Sequence, residues 1–219
     1  MNELIKPKIK VYTTPYKEIK LPLTMSVELA ELIGIHFGDG GIHIRKRKSY
    51  MTTYCFNSKE HDLISDTRLW YKTLFEIELK NYGKKINAVQ LYCCSKMLCL
   101  FLHENFGIPL GKKDDLHIPI IIQNNDIYLG AFMRGLFRTD GCYFIKKTGK
   151  YQYPIIKITT KCKDFSEEIK NSLIIMGFRA KINKKWGRNY YGYDVVLHGK
   201  KQYEKWNKEI LKEGGNAGI

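Results

Sequence analysis

The stretch Leu29 to Gly41, LAELIGIHFGDGG, places Leu29, Leu32, Ile33 and Phe37 at helical spacing and then breaks on Gly38-Asp39-Gly40. That pattern predicts an amphipathic helix running into an acidic turn. The stretch Tyr128 to Cys142, YLGAFMRGLFRTDGC, repeats it. The two align at a constant offset of about 101 positions, as residue 140 stands to residue 39: Gly34 matches Gly135, Asp39 matches Asp140 and Gly40 matches Gly141. Each predicted helix therefore ends in Asp-Gly.

Small residues recur every fourth position on both helices, as Ala30, Gly34 and Gly38 on the first and Ala131, Gly135 and Thr139 on the second. Such a stripe leaves one face almost bare and lets two backbones approach closely. Interior glycine costs a helix about 1 kcal/mol against alanine, so its repeated use predicts tight contact. With the stripes facing each other, Asp39 and Asp140 emerge side by side. Two carboxylates so placed repel unless a cation lies between them, and oxygen-rich ligation without cysteine suits Mg²⁺.

These two stretches resemble the LAGLIDADG motif of homing endonucleases, with LIGIHFGDG (Leu32 to Gly40) and MRGLFRTDG (Met133 to Gly141) as its copies. GIPLGKKDDLHIP (Gly107 to Pro119) is similar to the connector that precedes the second copy in that family. Two copies at this separation resemble the single-chain, pseudo-dimeric branch. The resemblance implies an α+β fold of two pseudo-symmetric αββαββα halves. Paired motif helices would lie at the centre, and two curved antiparallel sheets would form a DNA-binding saddle.

Composition is consistent with that expectation. The chain has 219 residues, 44% of them hydrophobic, enough to bury a sizeable core as one unit or two fused halves. Lys+Arg 37 against Asp+Glu 22 gives a net charge of +15, which points to a polyanionic partner, nucleic acid first. Six cysteines without a CxxC pair, mostly among apolar neighbours, predict buried free thiols rather than disulfides or zinc ligands. The opening MNELIKPKIK lacks a signal-peptide core and no run approaches a membrane span, so the expectation is a soluble intracellular protein with no membrane partner. No splicing nucleophile stands at the start and no His-Asn at the end, which predicts a free-standing or intron-encoded enzyme rather than an intein.

In chain order the expected organisation is a basic N-terminal arm (1–23), a first half (24–111), a linker (112–125), a second half (126–212) and a flexible tail (213–219). Each half is expected to run helix, two strands, helix, two strands, helix. Alternation in the strands packs one face under helices and leaves the other polar. A sheet of this kind fits the DNA major groove. His43, Arg45, Lys46, Arg47 and Lys48 on the first hairpin are candidate DNA contacts. Lys146, Lys147, Lys157 and Thr159 on the hairpin of the second half, with Lys184, Lys185 and Arg188 between its last two strands, complete the footprint, mostly against phosphates.

The family resemblance implies hydrolysis of phosphodiester bonds in both strands of a long duplex target, leaving short 3′ overhangs. Asp39 and Asp140 would hold Mg²⁺, with the carbonyls of Gly38 and Thr139 as further ligands; Mn²⁺ or Ca²⁺ would substitute for binding. The family also carries a basic or polar residue near each acid. Lys59 and Lys161, matched between the halves at an offset of about 102, are the candidates. His36 reads as a core or rim histidine, and Cys93, Cys94 and Cys99 as core thiols. The rival expectations are an intron-encoded RNA maturase, with intron RNA as partner, and a non-cleaving DNA-binding regulator; both use the same monomeric scaffold.

Overall fold

A computed structural model describes residues 19–45, 49–83, 86–187 and 190–211; the side chains of Arg45, Thr148, Trp186 and Tyr190 are not described. Most of the basic arm, the hairpin tip Lys46, Arg47 and Lys48, Arg188, and the tail lie outside the described residues.

The first half runs α1 (Val27–Asp39), β1 (Gly40–Arg45), β2 (Ser49–Asn57), α2 (His61–Phe75), β3 (Lys80–Asn81), β4 (Ala88–Cys94) and α3 (Lys96–Phe106). A short helix, α4 (Ile120–Gln123), lies in the connector. The second half repeats the order as α5 (Asp126–Asp140), β5 (Gly141–Thr148), β6 (Tyr151–Thr160), α6 (Lys163–Ile175), β7 (Lys181–Gly187), β8 (Tyr190–His198) and α7 (Lys200–Trp206), which continues as a π-helical turn over Asn207–Leu211. The strands form two antiparallel four-stranded sheets in the orders β1-β2-β4-β3 and β5-β6-β8-β7. The α+β class and the two pseudo-symmetric halves are as the sequence predicts. β3 is short: Lys80 and Asn81 pair with Tyr92 and Leu91, and the Tyr82 amide donates to the Gln90 carbonyl at 2.8 Å.

Side chains close the motif helices at their starts. The Ser26 hydroxyl accepts from the Leu29 amide at 3.1 Å, and the Asn125 side-chain oxygen accepts from Ile127 and Tyr128 at 3.0 and 3.2 Å. Neither helix is amphipathic in place. Every residue from Leu29 to Phe37 is buried, as are Tyr128 to Met133 and Gly135 to Phe137. Each helix packs on its partner and on its own half at once, so no face is left for water.

The two halves share one core. Tyr54, Phe56, Tyr71, Phe75 and Phe101 fill the first, Ile156, Ile158, Phe165, Leu197 and Trp206 the second, and Phe37 stacks edge-on against Phe132 across the helix pair at 5.2 Å. The connector is part of that core: Leu110 bridges to Ile42 on the β1 edge, and Leu116, Ile118 and Ile122 are buried. Strand alternation divides the cysteines. Of those on strands, Cys93 is buried whereas Cys55, Cys94 and Cys142 are exposed, which corrects the expectation of buried thiols for these three, Cys94 included; Cys99, on α3, is buried. No helix among the described residues is long and apolar enough to cross a membrane.

Candidate active site and nucleic-acid face

The glycines of the stripe make the helix contact possible. A Cβ on Gly34 would fall on the carbonyl oxygen of Phe132, and one on Gly135 would fall on that of Glu31, a reciprocal pair of backbone contacts. One turn on, the symmetry is broken: a Cβ on Gly38 would overlap the Thr139 hydroxyl, so the space left empty on α1 receives a side chain from α5. That hydroxyl donates back to the Leu136 carbonyl at 2.9 Å.

Close approach also accounts for the glycine after each acid. Gly40 and Gly141 have φ of −85° and −95°, values that any residue adopts. Their role is clearance. A Cβ on Gly40 would lie 2.6 Å from the His36 ring, and one on Gly141 would overlap Phe137, because the strand turns back against the last turn of the helix it leaves. Asp39 and Asp140 are thereby held at two adjoining helix ends, with an Asp140 carboxylate oxygen 3.4 Å from where a Gly38 Cβ would stand.

The helix ends are electrostatically loaded. Burial, then the Asp140 carboxylate and Glu60, push Asp39 up to about 7, against the opposing pull of Lys113. Asp140 is raised as well, by the protein packed around it, with Lys113 again opposing. Lys113 arrives from the connector three residues after the Leu110 bridge. Its ammonium donates to the carbonyls of His36, Phe37 and Gly38 at 3.0, 2.9 and 2.5 Å, capping the negative end of α1. Burial pushes it down to about 8, while Asp140 and Asp39 pull it back up.

An ammonium among three carbonyls and beside two acids marks a place built for positive charge, with oxygen donors only. That donor set fits a hard divalent cation. Among the described residues no cluster of three or more His, Cys, Asp or Glu side chains gathers.

His36 lies behind this site. Its Nδ1 shares a 2.8 Å hydrogen bond with Tyr54, whose hydroxyl lies 3.0 Å from that of Tyr71. Burial first, then Lys113 and His43, hold its pKa well below the imidazole range, so the ring is neutral. It is a core group, as the sequence reading has it.

Register assigns the predicted nucleic-acid residues to faces. His43 and Thr53 lie on the outward face of the first sheet, 3.0 Å apart. Lys157 and Thr159 lie on the outward face of the second, Lys157 in register with Cys142 and Val196 and Thr159 with Asp194. Lys146 and Lys185 share that face. Lys147 and Lys184 alternate to the other, Lys184 in register with buried Tyr193. Lys59 and Lys161 occupy matching places between an inner strand and the following helix; both are exposed, and among the described residues neither ammonium is hydrogen-bonded or ion-paired.

Two groups escape a sequence reading. Lys113 stands in the quoted connector with no local pattern to single it out. A buried ion network ties the halves together: Glu31, 4% exposed, takes the Arg134 Nε at 2.6 Å and the Arg138 Nη1 at 2.9 Å, and Arg138 continues to Asp66 at 2.6 Å. At the repeat offset, Glu31 corresponds to Phe132 and Arg138 to Phe37, so the aromatic pair on one side of the helix axis has an ion pair as its counterpart on the other.

A sequence model described as LAGLIDADG-like domain matches residues 128–211. In sequence the chain is similar to part of the glutamine–fructose-6-phosphate aminotransferase of Methanocaldococcus jannaschii, at 26% identity over 204 residues, 91% of this chain and 17% of that protein. It is likewise similar to part of the DNA polymerase of Thermococcus litoralis, at 26% identity over 188 residues, 84% of this chain and 11% of that protein. The chain thus spans less than a fifth of the length of these relatives. In structure it is similar to the homing endonuclease I-DmoI in complex with DNA and Ca, with a TM-score of 0.60 and 22% identity over 86% of this chain and 91% of that one. It is also similar to the LAGLIDADG meganuclease I-AabMI bound to uncleaved DNA, with a TM-score of 0.57 and 14% identity over 87% and 84%. Residues 128–211 thus match the LAGLIDADG-like domain model, and the chain as a whole has the fold of the homing endonuclease I-DmoI and of the LAGLIDADG meganuclease I-AabMI.

Proposed function

We propose that the chain is a divalent-metal-dependent DNA endonuclease that cuts both strands of a specific duplex, with one acid serving each strand. The observation that carries this reading is the meeting of Asp39 and Asp140 at the adjoining ends of α1 and α5, each raised in pKa and both beside a half-buried ammonium. The fold neighbours that carry DNA and metal in their crystals support it.

A bound divalent cation, Mg²⁺ by preference with Mn²⁺ or Ca²⁺ able to bind, would supply Lewis-acid stabilisation of the charge that builds on the phosphate and would acidify water. Asp39 and Asp140 would hold it, with the Thr139 carbonyl as a candidate additional donor; the Gly38 carbonyl, which accepts from Lys113 at 2.5 Å, would join them only on displacing that ammonium. Lys113 holds the α1 carbonyls and offers fixed positive charge where the reaction builds negative charge. Lys59 and Lys161 would orient water or support the leaving oxygen on either side. The outward sheet faces would lie against the duplex, with cleavage giving short 3′ overhangs.

The test is cleavage of a randomised duplex library with Mg²⁺ by the unmodified chain and by Asp39→Asn and Asp140→Asn. Sequence-specific double-strand breaks, absent from both variants, are expected. Tight binding of structured RNA with no duplex cleavage would replace this reading with a splicing role, and duplex binding without cleavage would replace it with a regulator.

A further inference from the structure

Among the described residues, Asp194 is the only acidic residue in a strand, and it faces outward. A carboxylate on a face otherwise set with Lys146, Lys157, Lys181 and Lys185 opposes any polyanion, so its presence asks for a local role. Its contacts supply one. The Thr159 hydroxyl donates to its Oδ1 at 2.7 Å, and the Lys157 ammonium lies 3.5 Å from its Oδ2, with side-chain exposures of only 20% for Lys157 and 13% for Asp194.

A lysine so held differs from the exposed lysines of the hairpin. Lys146 and Lys147 are exposed near the hairpin end, where phosphates come within reach, whereas Lys157 is kept low on the sheet, where a major groove would present base edges rather than backbone. Two of its three N–H donors remain, the complement of guanine N7 and O6. The Thr159 oxygen, about 7 Å along the strand, keeps lone pairs to accept from the paired cytosine amine.

Position adds to the case. Ile158, between the two, is in register with Gly141, the residue after Asp140, so the trio flanks the row that begins at the acid. In the first sheet the same register places carry Thr53, Cys55 and Gln90, neutral side chains with a Gln90–Cys55 contact at 3.8 Å.

We propose that Thr159, Asp194 and Lys157 form a reading module for one G·C pair close to the cleavage centre, on the side of the second sheet only, with Lys157 contacting the base and Asp194 as its positioning residue. This rests on the duplex reading above. The experiment is selection of preferred targets from randomised duplexes by the full chain. Affinities of the unmodified protein, Lys157→Met, Asp194→Asn and Lys146→Met then follow, for all four bases at each central position and across a salt series. Expected is a roughly tenfold preference for guanine at one position on one side of the centre. Lys157→Met and Asp194→Asn should both flatten it to within about twofold and leave other positions unchanged. Lys146→Met should weaken all duplexes evenly and lower the salt slope by about 1, the signature of a phosphate contact.

An even loss in Lys157→Met with a lowered slope, or survival of the guanine preference in both module variants, overturns the module while the endonuclease reading stands. Selection of no duplex consensus by the unmodified chain overturns both.

Discussion

Asp39, Asp140 and Lys113 share one small volume, and each holds its charge state at a cost. In the metal-free protein Asp39, raised to about 7, binds its proton more tightly folded than unfolded. Stability should therefore fall as pH rises from about 4 to about 7 and level off above. Asp39→Asn removes the penalty: at pH 8 without metal its Tm should exceed that of the unmodified chain by a few degrees, and the added stability from Mg²⁺ should vanish. Apparent metal affinity should climb with pH up to about 7, since the proton must leave first, and calorimetric titration between pH 5.5 and 8.5 reads this directly. Lys113→Met should reduce the cleavage rate on the order of 10²-fold with duplex affinity changed far less, because its bonds go to the helix end rather than to an outward face. The two acids are legible in the sequence as paired Asp-Gly. Lys113 is not, since its place depends on Leu110 meeting Ile42 across the chain.

Among the elements, the α1–α5 pair sets the geometry. Gly34→Ala and Gly135→Ala each drive a methyl onto a backbone carbonyl that cannot rotate away. Each should cost about 3 kcal/mol in denaturant unfolding, the upper end of ordinary overpacking. Glu31→Gln should cost about 3–5 kcal/mol by leaving Arg134 and Arg138 underpaired in a buried place. Glu31→Phe combined with Arg138→Phe, which copies the Phe37–Phe132 pair of the opposite side, should recover part of that loss. The small-residue stripe is readable from spacing alone. The ion network is not, because Glu31, Arg134, Arg138 and Asp66 come from three helices and look like ordinary surface charges in sequence.

At the scale of the molecule, the connector holds the second half as well as serving the site. His117 bridges Asp115 at 3.0 Å and Glu168 on α6 at 2.5 Å, and Glu168 also accepts the Ile118 amide at 2.7 Å. The Glu168 hydrogen bond raises the His117 pKa; desolvation opposes it, and the charges of Glu168 and Asp115 and the Asp115 hydrogen bond add to the rise. The clasp therefore contributes fully below the unfolded pKa near 6.5 and fades as pH rises through the raised folded value. His117→Ala should lower Tm at pH 5.5 and leave it nearly unchanged at pH 8.5, by under about 1 kcal/mol because the ring is 56% exposed.

By itself the sequence determined the repeat, the α+β order of each half, the close-packed helix stripe and the two acids. All of these are periodic or duplicated signals carried by neighbouring residues. Only the tertiary structure decided that the motif helices are buried on every side, that a connector lysine caps one of them, and that Glu31 joins the halves. It alone set Asp194 beside Lys157 and Thr159. Those pairings join residues far apart in the chain, and a local pattern holds no record of which distant side chain arrives to meet it.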